Sequence, residues 1–554
     1  MTVIEQMLRD AIAHALRQCG MDPEWASASD LSVPKDKTHG DLSTPVAMAI
    51  AKKVKRNPRE VARQILSALP PDPARIRKAE IAGAGFINFF LAPQVYWDVL
   101  GQLLAAGKEF GRSHEGLGKK TQVEFVSANP TGPLTIGHGR QAVIGDTVAR
   151  LLEATGHAVM REYYFNDAGR QMRVLGDSVR LRYRERLGLA ADFPKDYYQG
   201  EYIRAIAEMA AGEKGDSLKD SEDTAYFQAL AERVIFGDIR KTLERLGIRF
   251  DVYYNEKSLY ETGKIDAVIR TLRDKDLAYD QDGAVWFRTS RLGLEQDRVI
   301  VKSTGEPTYR LPDIAYHKDK LDRGFDLVVD IFGADHIATY PDVLAALDAL
   351  GYDKTRIRVL IHQFVTLVEG KAKVKMSTRK ANFVTLDELM DEVGPDVTRY
   401  FFLNRSMSSH LNFDLTLAKT QSDENPVYYV QYAHARICSI LRHAREQGVD
   451  PEADADLRLL EAEDELDLVK LLGQFPRVVR EAALQFEPHR IPTYLEEVAT
   501  AYHRFQHAGK QDGALRVVTG NLPLTLARLA LCRAVRIVLS NGLDLLGISK
   551  PERM

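Results

Sequence analysis

In the opening residues, MTVIEQMLRDAIAHAL, apolar and charged positions alternate at the 3.6-residue period, so the chain begins with an amphipathic helix. Asn57-Pro58-Arg59-Glu60 marks another helix start, with Asn57 as cap and Pro58 at the first helical position. Residues 80–91, EIAGAGFINFFL, turn strand-like, and two glycines mark a bend. A stretch rich in Gly, Lys and Ser at 107–120 reads as a linker. From Thr121 strand and helix patterns alternate, with strands predicted at 122–127, 159–165, 327–332 and 358–364. A long, mostly helical stretch at 166–246 and a small β segment at 282–287 separate the second strand from the third. This order predicts a Rossmann-like, doubly wound parallel α/β sheet carrying insertions. After Asp414 strand patterns stop, and 427–443, 457–475, 477–484, 491–507 and 522–539 keep the helical period. Three units are expected: α+β over 1–110, α/β over 111–414, and an all-α bundle over 415–554.

A chain of 554 residues exceeds what one core supports, in keeping with that division. The apolar share of 45% and charged share of 28% are ordinary for a globular protein. A net charge of −3 gives no global field for a polyanion, so any nucleic-acid contact must use local basic surface. Cys19, Cys438 and Cys532 stand apart, with no CxxC pair. That argues against zinc and against a disulfide framework, and predicts buried thiols. No stretch reaches the roughly 20 apolar residues of a membrane span, and the first helix lacks the apolar run of a signal peptide. A cytoplasmic protein is expected.

Two segments carry the candidate chemistry. Ala128-Asn129-Pro130-Thr131-Gly132-Pro133-Leu134-Thr135-Ile136-Gly137-His138 joins the strand at 122–127 to a helix predicted at 139–153. A glycine-containing turn that opens a helix offers N–H groups and the positive dipole end to phosphates. His138 either donates to phosphate oxygens as charge builds there or only caps and packs the helix. Gly137 lets a nucleotide base approach the backbone closely. Lys375-Met376-Ser377-Thr378-Arg379, continued by Lys380, is either a solvated basic loop or one that closes on ATP phosphates.

Further candidates are weaker. Glu124, Asn129, Tyr309 and Asp313 supply two carboxylates, an amide and a phenol, a set suited to the five donors of a guanidinium. Gly333-Ala334-Asp335-His336 suits a nucleotide ribose at a strand end, or equally a capped turn. Basic residues at 52–56 could meet nucleic acid. So could Tyr428, Tyr429, Tyr432, His434 and Arg436 on one helix and Arg528, Arg533 and Arg536 on another. These suit stacking on splayed bases, or a bundle with tyrosines half in its core and arginines in water.

In order and spacing the two segments resemble the HIGH and KMSKS signatures of class I aminoacyl-tRNA synthetases. The whole chain resembles the bacterial arginyl-tRNA synthetases. Thr38-His39-Gly40-Asp41, Asn57-Pro58-Arg59-Glu60 and Gly85-Phe86-Ile87-Asn88 look like that family's additional N-terminal domain. Residues 124–138, Tyr164-Phe165-Asn166-Asp167-Ala168-Gly169, and residues 307–317, 333–336 and 375–386 look like its catalytic domain. Residues 429–441 and 529–539 and the terminus Pro551-Glu552-Arg553-Met554 look like its DALR anticodon-binding domain.

The resemblance implies an arginine–tRNA ligase that uses ATP with Mg²⁺ to form arginyl-adenylate and transfers arginine to tRNA(Arg). It implies a monomer, no large editing domain, and arginine activation only with tRNA bound. By resemblance His138, Lys375, Ser377 and Arg379 are catalytic, and Thr135, Gly137, His138, Asp335, His336, Lys375 and Met376 surround ATP. Glu124, Asn129, Tyr309 and Asp313 would hold L-arginine. Phe86 and Asn88 would meet the tRNA D-loop, and Tyr429, Tyr432, Arg436 and Arg533 would meet tRNA through the helical tail. Three positions depart from the family pattern: Thr135 replaces the first His of HIGH, Thr378 the second Lys of KMSKS, and Ala381 a frequent Gly. Gly132 and Pro133 stand where some members carry a compensating Lys, which leaves Arg379 or Lys380 to supply the charge. Two other readings stay open: a class I synthetase for another amino acid, and a non-catalytic tRNA-binding relative.

Overall fold

The computed structural model describes residues 3–27, 30–34, 36–334, 340–370, 372–373 and 384–554. The opening amphipathic pattern becomes helix α1 (Val3–Gln18), which buries Leu8, Ile12 and Leu16. It packs with α2 (Val46–Val54) and α3 (Pro58–Ser67) beside an antiparallel sheet of β1 (Leu42–Thr44), β2 (Ile76–Ala82) and β3 (Phe86–Leu91), ordered β1-β3-β2. Asn57 caps α3 by accepting from the Arg59 N–H at 2.9 Å, with Pro58 at the first helical position. The bend foreseen within 80–91 is a hairpin turn in which Gly83 and Gly85 take φ of 50° and 132°. Helix α4 (Pro93–Ala106) leads out of this unit and packs on the C-terminal helices, where Trp97 Nε1–H donates to the Leu460 carbonyl at 3.1 Å.

The α/β stretch begins with β4 (Lys120–Glu124), α5 (Ile136–Ala154) and β5 (Ala158–Phe165). Helices α6 (Gly169–Arg186), α7 (Glu201–Lys214) and α8 (Ala225–Arg245) form the helical insertion and lead to β6 (Val252–Asn255). After α9 (Lys257–Glu261) and α10 (Lys264–Asp274), strands β7 (Ala278–Gln281), β8 (Ala284–Phe287) and β9 (Arg298–Val301) make a small antiparallel sheet. The chain continues through α11 (Arg310–Asp322), β10 (Leu327–Gly333), α12 (Tyr340–Leu350) and β11 (Ile357–His362). All five strands of the main sheet run parallel in the order β11-β10-β4-β5-β6. Winding therefore reverses between β4 and β10, which opens a crevice at their C-terminal ends.

Strands β12 (Val365–Glu369), β13 (Ala372–Lys373) and β14 (Leu411–Asp414) form a third small sheet, with α13 (Leu386–Val393), α14 (Pro395–Leu403) and α15 (Leu415–Lys419) around it. The rest is helical: α16 (Pro426–Glu446), α17 (Glu463–Leu472), α18 (Phe475–Leu484), α19 (Arg490–Gln511) and α20 (Leu522–Leu546). Among the described residues no helix is long and apolar enough to cross a membrane. Cys438 and Cys532 are buried and Cys19 is half-buried.

Four details differ from the sequence expectation. The first strand of the main sheet ends at Glu124, because Val126 and Ser127 leave the β region for φ of 69° and 42°. Helix α5 starts at Ile136, so Gly137 and His138 lie inside its first turn. The helix expected over 457–475 is broken, and α17 restarts where the Glu465 carboxylate accepts from the Ala462 N–H at 3.0 Å. Strands β6 and β12 to β14 were not foreseen as strands. They have two to five residues; β6 and β14 pair with strands distant in sequence, while β13 is a two-residue strand folded back on β12.

Candidate active site

The crevice is built on a backbone conformation that L-residues rarely adopt. Positive φ at buried Val126 is costly for a β-branched side chain, and it persists because the surrounding packing fixes it. The turn it starts is tied down from several sides. Tyr163 Oη–H donates to the Ala128 carbonyl at 2.7 Å, and Tyr202 Oη–H to the Thr131 carbonyl at 2.8 Å. Asn129 accepts from the Asn166 N–H at 3.0 Å and donates to Gln171 Oε1 at 3.0 Å, so it stitches this turn to the start of α6.

Thr135 is the N-cap of α5, and its N–H donates to His138 Nδ1 at 3.2 Å, with Thr135 Oγ1 also 3.2 Å from that nitrogen. The capping contact makes Nδ1 the acceptor and leaves the neutral ring's proton on Nε2, which suits a donor to phosphate. Capping and phosphate binding are thus compatible roles of one imidazole. Among the described residues a Cβ on Gly137 would meet only Thr135 Oγ1, at 3.7 Å, so none of their contacts requires glycine there. On Gly139 it would lie 2.5 Å from Leu386 Cδ1 and 3.0 Å from Phe402, so that glycine serves helix packing.

Beneath the crevice three acids stand level on adjacent strands: Asp330 on β10 opposite Glu124 on β4, and Glu124 opposite Glu162 on β5. All three are buried, and α11 with the residue that ends it, Arg323, supplies the cations between them. Lys320 Nζ pairs with Glu124 and, at 2.6 Å, with Asp330; Arg323 pairs with Glu162 at 2.6 Å. Burial opposes the Lys320 charge, but Asp330 and Glu124 outweigh it and hold its pKa above the ordinary lysine value. The other Glu124 oxygen accepts from Ser127 Oγ–H at 2.8 Å.

Tyr309 and Asp313 open α11 one turn apart, as their spacing foresaw, and the Asp313 N–H meets the Tyr309 carbonyl at 3.3 Å. Tyr309 is 81% exposed at the rim. Tyr164 draws the group together. Its hydroxyl pKa is pushed well above the ordinary value, first by burial and then by the charges of Glu256, Asp313 and Glu124. Glu256, which sequence reasoning missed, accepts from Tyr164 Oη–H at 2.6 Å and from Asn166 Nδ2 at 2.8 Å. Burial raises its pKa. Only the adjacency of β6 to β5 places it here, and a Glu in the sequence NEKS carries no such signal.

The remaining expected residues divide. Lys375, Met376, Ser377 and Arg379, with Asp335 and His336, lie outside the described residues. Phe86 is 38% exposed at the hairpin turn. Asn88 corrects the expectation of a base contact: it points inward on β3, is 2% exposed, and accepts from Ser43 Oγ–H at 2.7 Å. Tyr428 and Tyr432 stack at 6.2 Å, Tyr429 and Tyr432 both contact the His503 ring, and Arg436 donates to Tyr432 Oη at 3.2 Å. Arg533 is half-buried, paired with Glu452 at 2.8 Å and donating to the Pro451 carbonyl. Arg528 is buried against Glu465 at 2.7 Å and is structural.

Comparison with known proteins agrees along the whole chain. Residues 99–406 match the family model of the catalytic domain described as tRNA synthetases class I (R). Residues 6–91 match the arginyl tRNA synthetase N terminal domain and residues 430–554 the DALR anticodon binding domain. The chain is 52% identical over 558 residues to the arginine–tRNA ligase of Desulfotalea psychrophila, covering 99% of this chain and 100% of that one. It is 50% identical over 569 residues to that of Salinibacter ruber, covering 100% of both. The solved Thermus thermophilus arginyl-tRNA synthetase shares the fold, with a TM-score of 0.77 over 99% of this chain and 100% of that one at 23% identity. The chain belongs to the arginyl-tRNA synthetase family of class I aminoacyl-tRNA synthetases.

Proposed function

We infer that the chain is an arginine–tRNA ligase, which joins L-arginine to the 3′ end of tRNA(Arg) at the expense of ATP. The observation that carries this reading is one crevice holding both a helix N-terminus, suited to phosphate, and a group of carboxylates, suited to a guanidinium. In the first step an oxygen of the arginine carboxylate bonds to the α-phosphorus and the bond to the departing pyrophosphate breaks. In the second the terminal ribose hydroxyl of the tRNA attacks the arginyl carbonyl, and AMP leaves. Neither step needs a covalent bond to the protein; alignment and charge stabilisation lower both barriers.

Individual roles follow from position. His138 donates to phosphate from the α5 mouth while Thr135 sets its tautomer, and Gly137 leaves room for the adenine. From the family resemblance and not from position, Lys375, Ser377 and Arg379 act on the phosphates, and Met376, Asp335 and His336 serve the nucleotide. Asp313, with Tyr309 at the rim and Glu124 and Glu256 beneath, receives the guanidinium, and Asn129 lies toward the amino-acid head. Mg²⁺ arrives with ATP on phosphate oxygens and waters.

Residues 1–110, with Phe86 at the surface, meet the tRNA body; 111–414 carry out the chemistry; 415–554 read the anticodon through Tyr429, Tyr432 and Arg436. Arg533, whose guanidinium pairs with Glu452 beyond the end of α16, is a further contact to the tRNA. The enzyme works as a cytoplasmic monomer, so light scattering should return the chain mass of 62.2 kDa.

Asp313→Asn tests the arginine assignment. The KM for arginine should rise about a hundredfold with the KM for ATP nearly unchanged, because a charged bidentate contact is lost. An unchanged KM for arginine would remove Asp313 from the substrate site.

A further inference from the structure

Four buried side chains run in an unbroken polar line from one wall of the crevice to the other. Asp313 on α11 offers its carbonyl to His317 Nδ1 at 2.7 Å, and His317 Nε2 meets Asp330 Oδ2 at 3.0 Å. Each of those ring contacts forms only when that nitrogen carries its proton, since both partners are acceptors. Asp330 Oδ1 then pairs with Lys320 Nζ at 2.6 Å, Lys320 pairs with Glu124, and Glu124 accepts from Ser127. The Lys320 ammonium is 0% exposed and also sits 4.3 Å from the Tyr316 ring centroid.

We propose that Lys320 is a positioning residue for the amino-acid substrate: with His317 and Asp330 it fixes the spacing between Glu124 on β4 and Asp313 on α11, and so sets the length of guanidino side chain the site accepts. The proposal rests on the reading that Glu124 and Asp313 face arginine. Its physical basis is charge. Glu124 and Asp330 lie opposite one another on adjacent strands, and one ammonium satisfies both. Without it the two carboxylates repel, and α11 loses the side-chain tie through which its last turn reaches Glu124 on β4. A helix that keeps its ties to β10 and β5 through His317, Tyr316 and Arg323 but has none to β4 would let Asp313 shift relative to Glu124 by the fraction of an ångström that separates one methylene from the next.

Lys320→Met, which keeps length and removes charge, tests this. Charging and tRNA-supported pyrophosphate exchange are measured with arginine, with its homologue one methylene longer, and with that one methylene shorter. The expected result is roughly a tenfold rise in the KM for arginine, with the KM for ATP within about twofold. The preference for arginine over both homologues should fall by about tenfold. If Lys320→Met does not fold, judged by near-ultraviolet circular dichroism and tRNA binding, His317→Asn breaks the same line at its other end and should give the same loss of length discrimination. Asp313→Asn is the reference variant. If it raises the KM for arginine while a folded Lys320→Met or His317→Asn keeps wild-type length discrimination, the positioning role is overturned. If Asp313→Asn also leaves that KM unchanged, the arginine-site reading fails and the proposal falls with it.

Discussion

Thr135 and Thr385 pair in an antiparallel bridge, and the adjoining Leu386 N–H donates to the Leu134 carbonyl at 2.9 Å. Each threonine is the N-cap of a helix, α5 for Thr135 and α13 for Thr385. The bridge thus anchors the chain just after the Lys375-to-Arg379 stretch of the sequence to the turn that opens α5.

Thr385→Ala should therefore act twice. Thr385 Oγ1 accepts from the Glu388 N–H at 3.1 Å, and Glu388 accepts from the Thr385 N–H at 2.7 Å, so the substitution removes half of a capping box. Stability should fall by about 1 kcal/mol in a denaturant titration. The KM for ATP should rise more than that for arginine, since the anchor serves the phosphate side.

Gly137 and Gly139 should separate function from packing. Gly137→Ala has space and a better helix former, so its thermal midpoint should hold or rise slightly while the KM for ATP increases. Gly139→Ala drives a methyl into Leu386 and Phe402, and should lower stability by about 1–3 kcal/mol. Thermal unfolding beside ATP-dependent kinetics reads both.

What the sequence disclosed and what it withheld divide along a physical line. Strand–helix alternation and the glycine-bearing turn into α5 are local, and they located the sheet and that turn, although the helix begins at Ile136, three residues before the expected start. Tyr309 and Asp313 are four residues apart, so their place one turn apart was readable, but the place of Asp313 with Glu124 around Tyr164 depends on α11 lying across β4 and β10. Glu256 and Lys320 gave no local signal, because their roles come from strand order and from burial of opposed charges. Asn88 misled because it is two residues from exposed Phe86 on the same strand, yet lies opposite Ser43 of β1, whose hydroxyl donates to its side-chain oxygen in the interior.

Arg399 joins the catalytic and C-terminal units. It is buried, pairs with Asp146 on α5 at 2.6 Å, and donates to the Leu246 and Leu546 carbonyls, each at 2.7 Å. Arg399→Met should destabilise by about 3–5 kcal/mol, because it strands two carbonyls and removes a partner of a buried carboxylate. Urea titration followed by tryptophan fluorescence checks this.

Acid should weaken the fold through Asp146 and Asp330. Burial opposes both charges. Arg399, Arg150 and Arg161 outweigh it at Asp146, and Lys320 and His317 at Asp330, so both carboxylates titrate below their ordinary value. Their stabilisation is fully present above the unfolded carboxylate pKa of about 3.9 and is lost as pH falls through it toward the lower folded values. Unfolding free energy measured over a pH series should decline below about pH 4, and Asp146→Asn should flatten that limb.

The most direct test of the central claim is ATP-dependent attachment of radiolabelled arginine to tRNA, read beside arginine-dependent ATP–pyrophosphate exchange with and without that tRNA. The account predicts charging with arginine and not with cysteine or glutamate, and exchange that appears only when tRNA(Arg) is present. Tight tRNA binding by the folded protein with neither charging nor exchange would contradict it and leave a non-catalytic tRNA-binding relative.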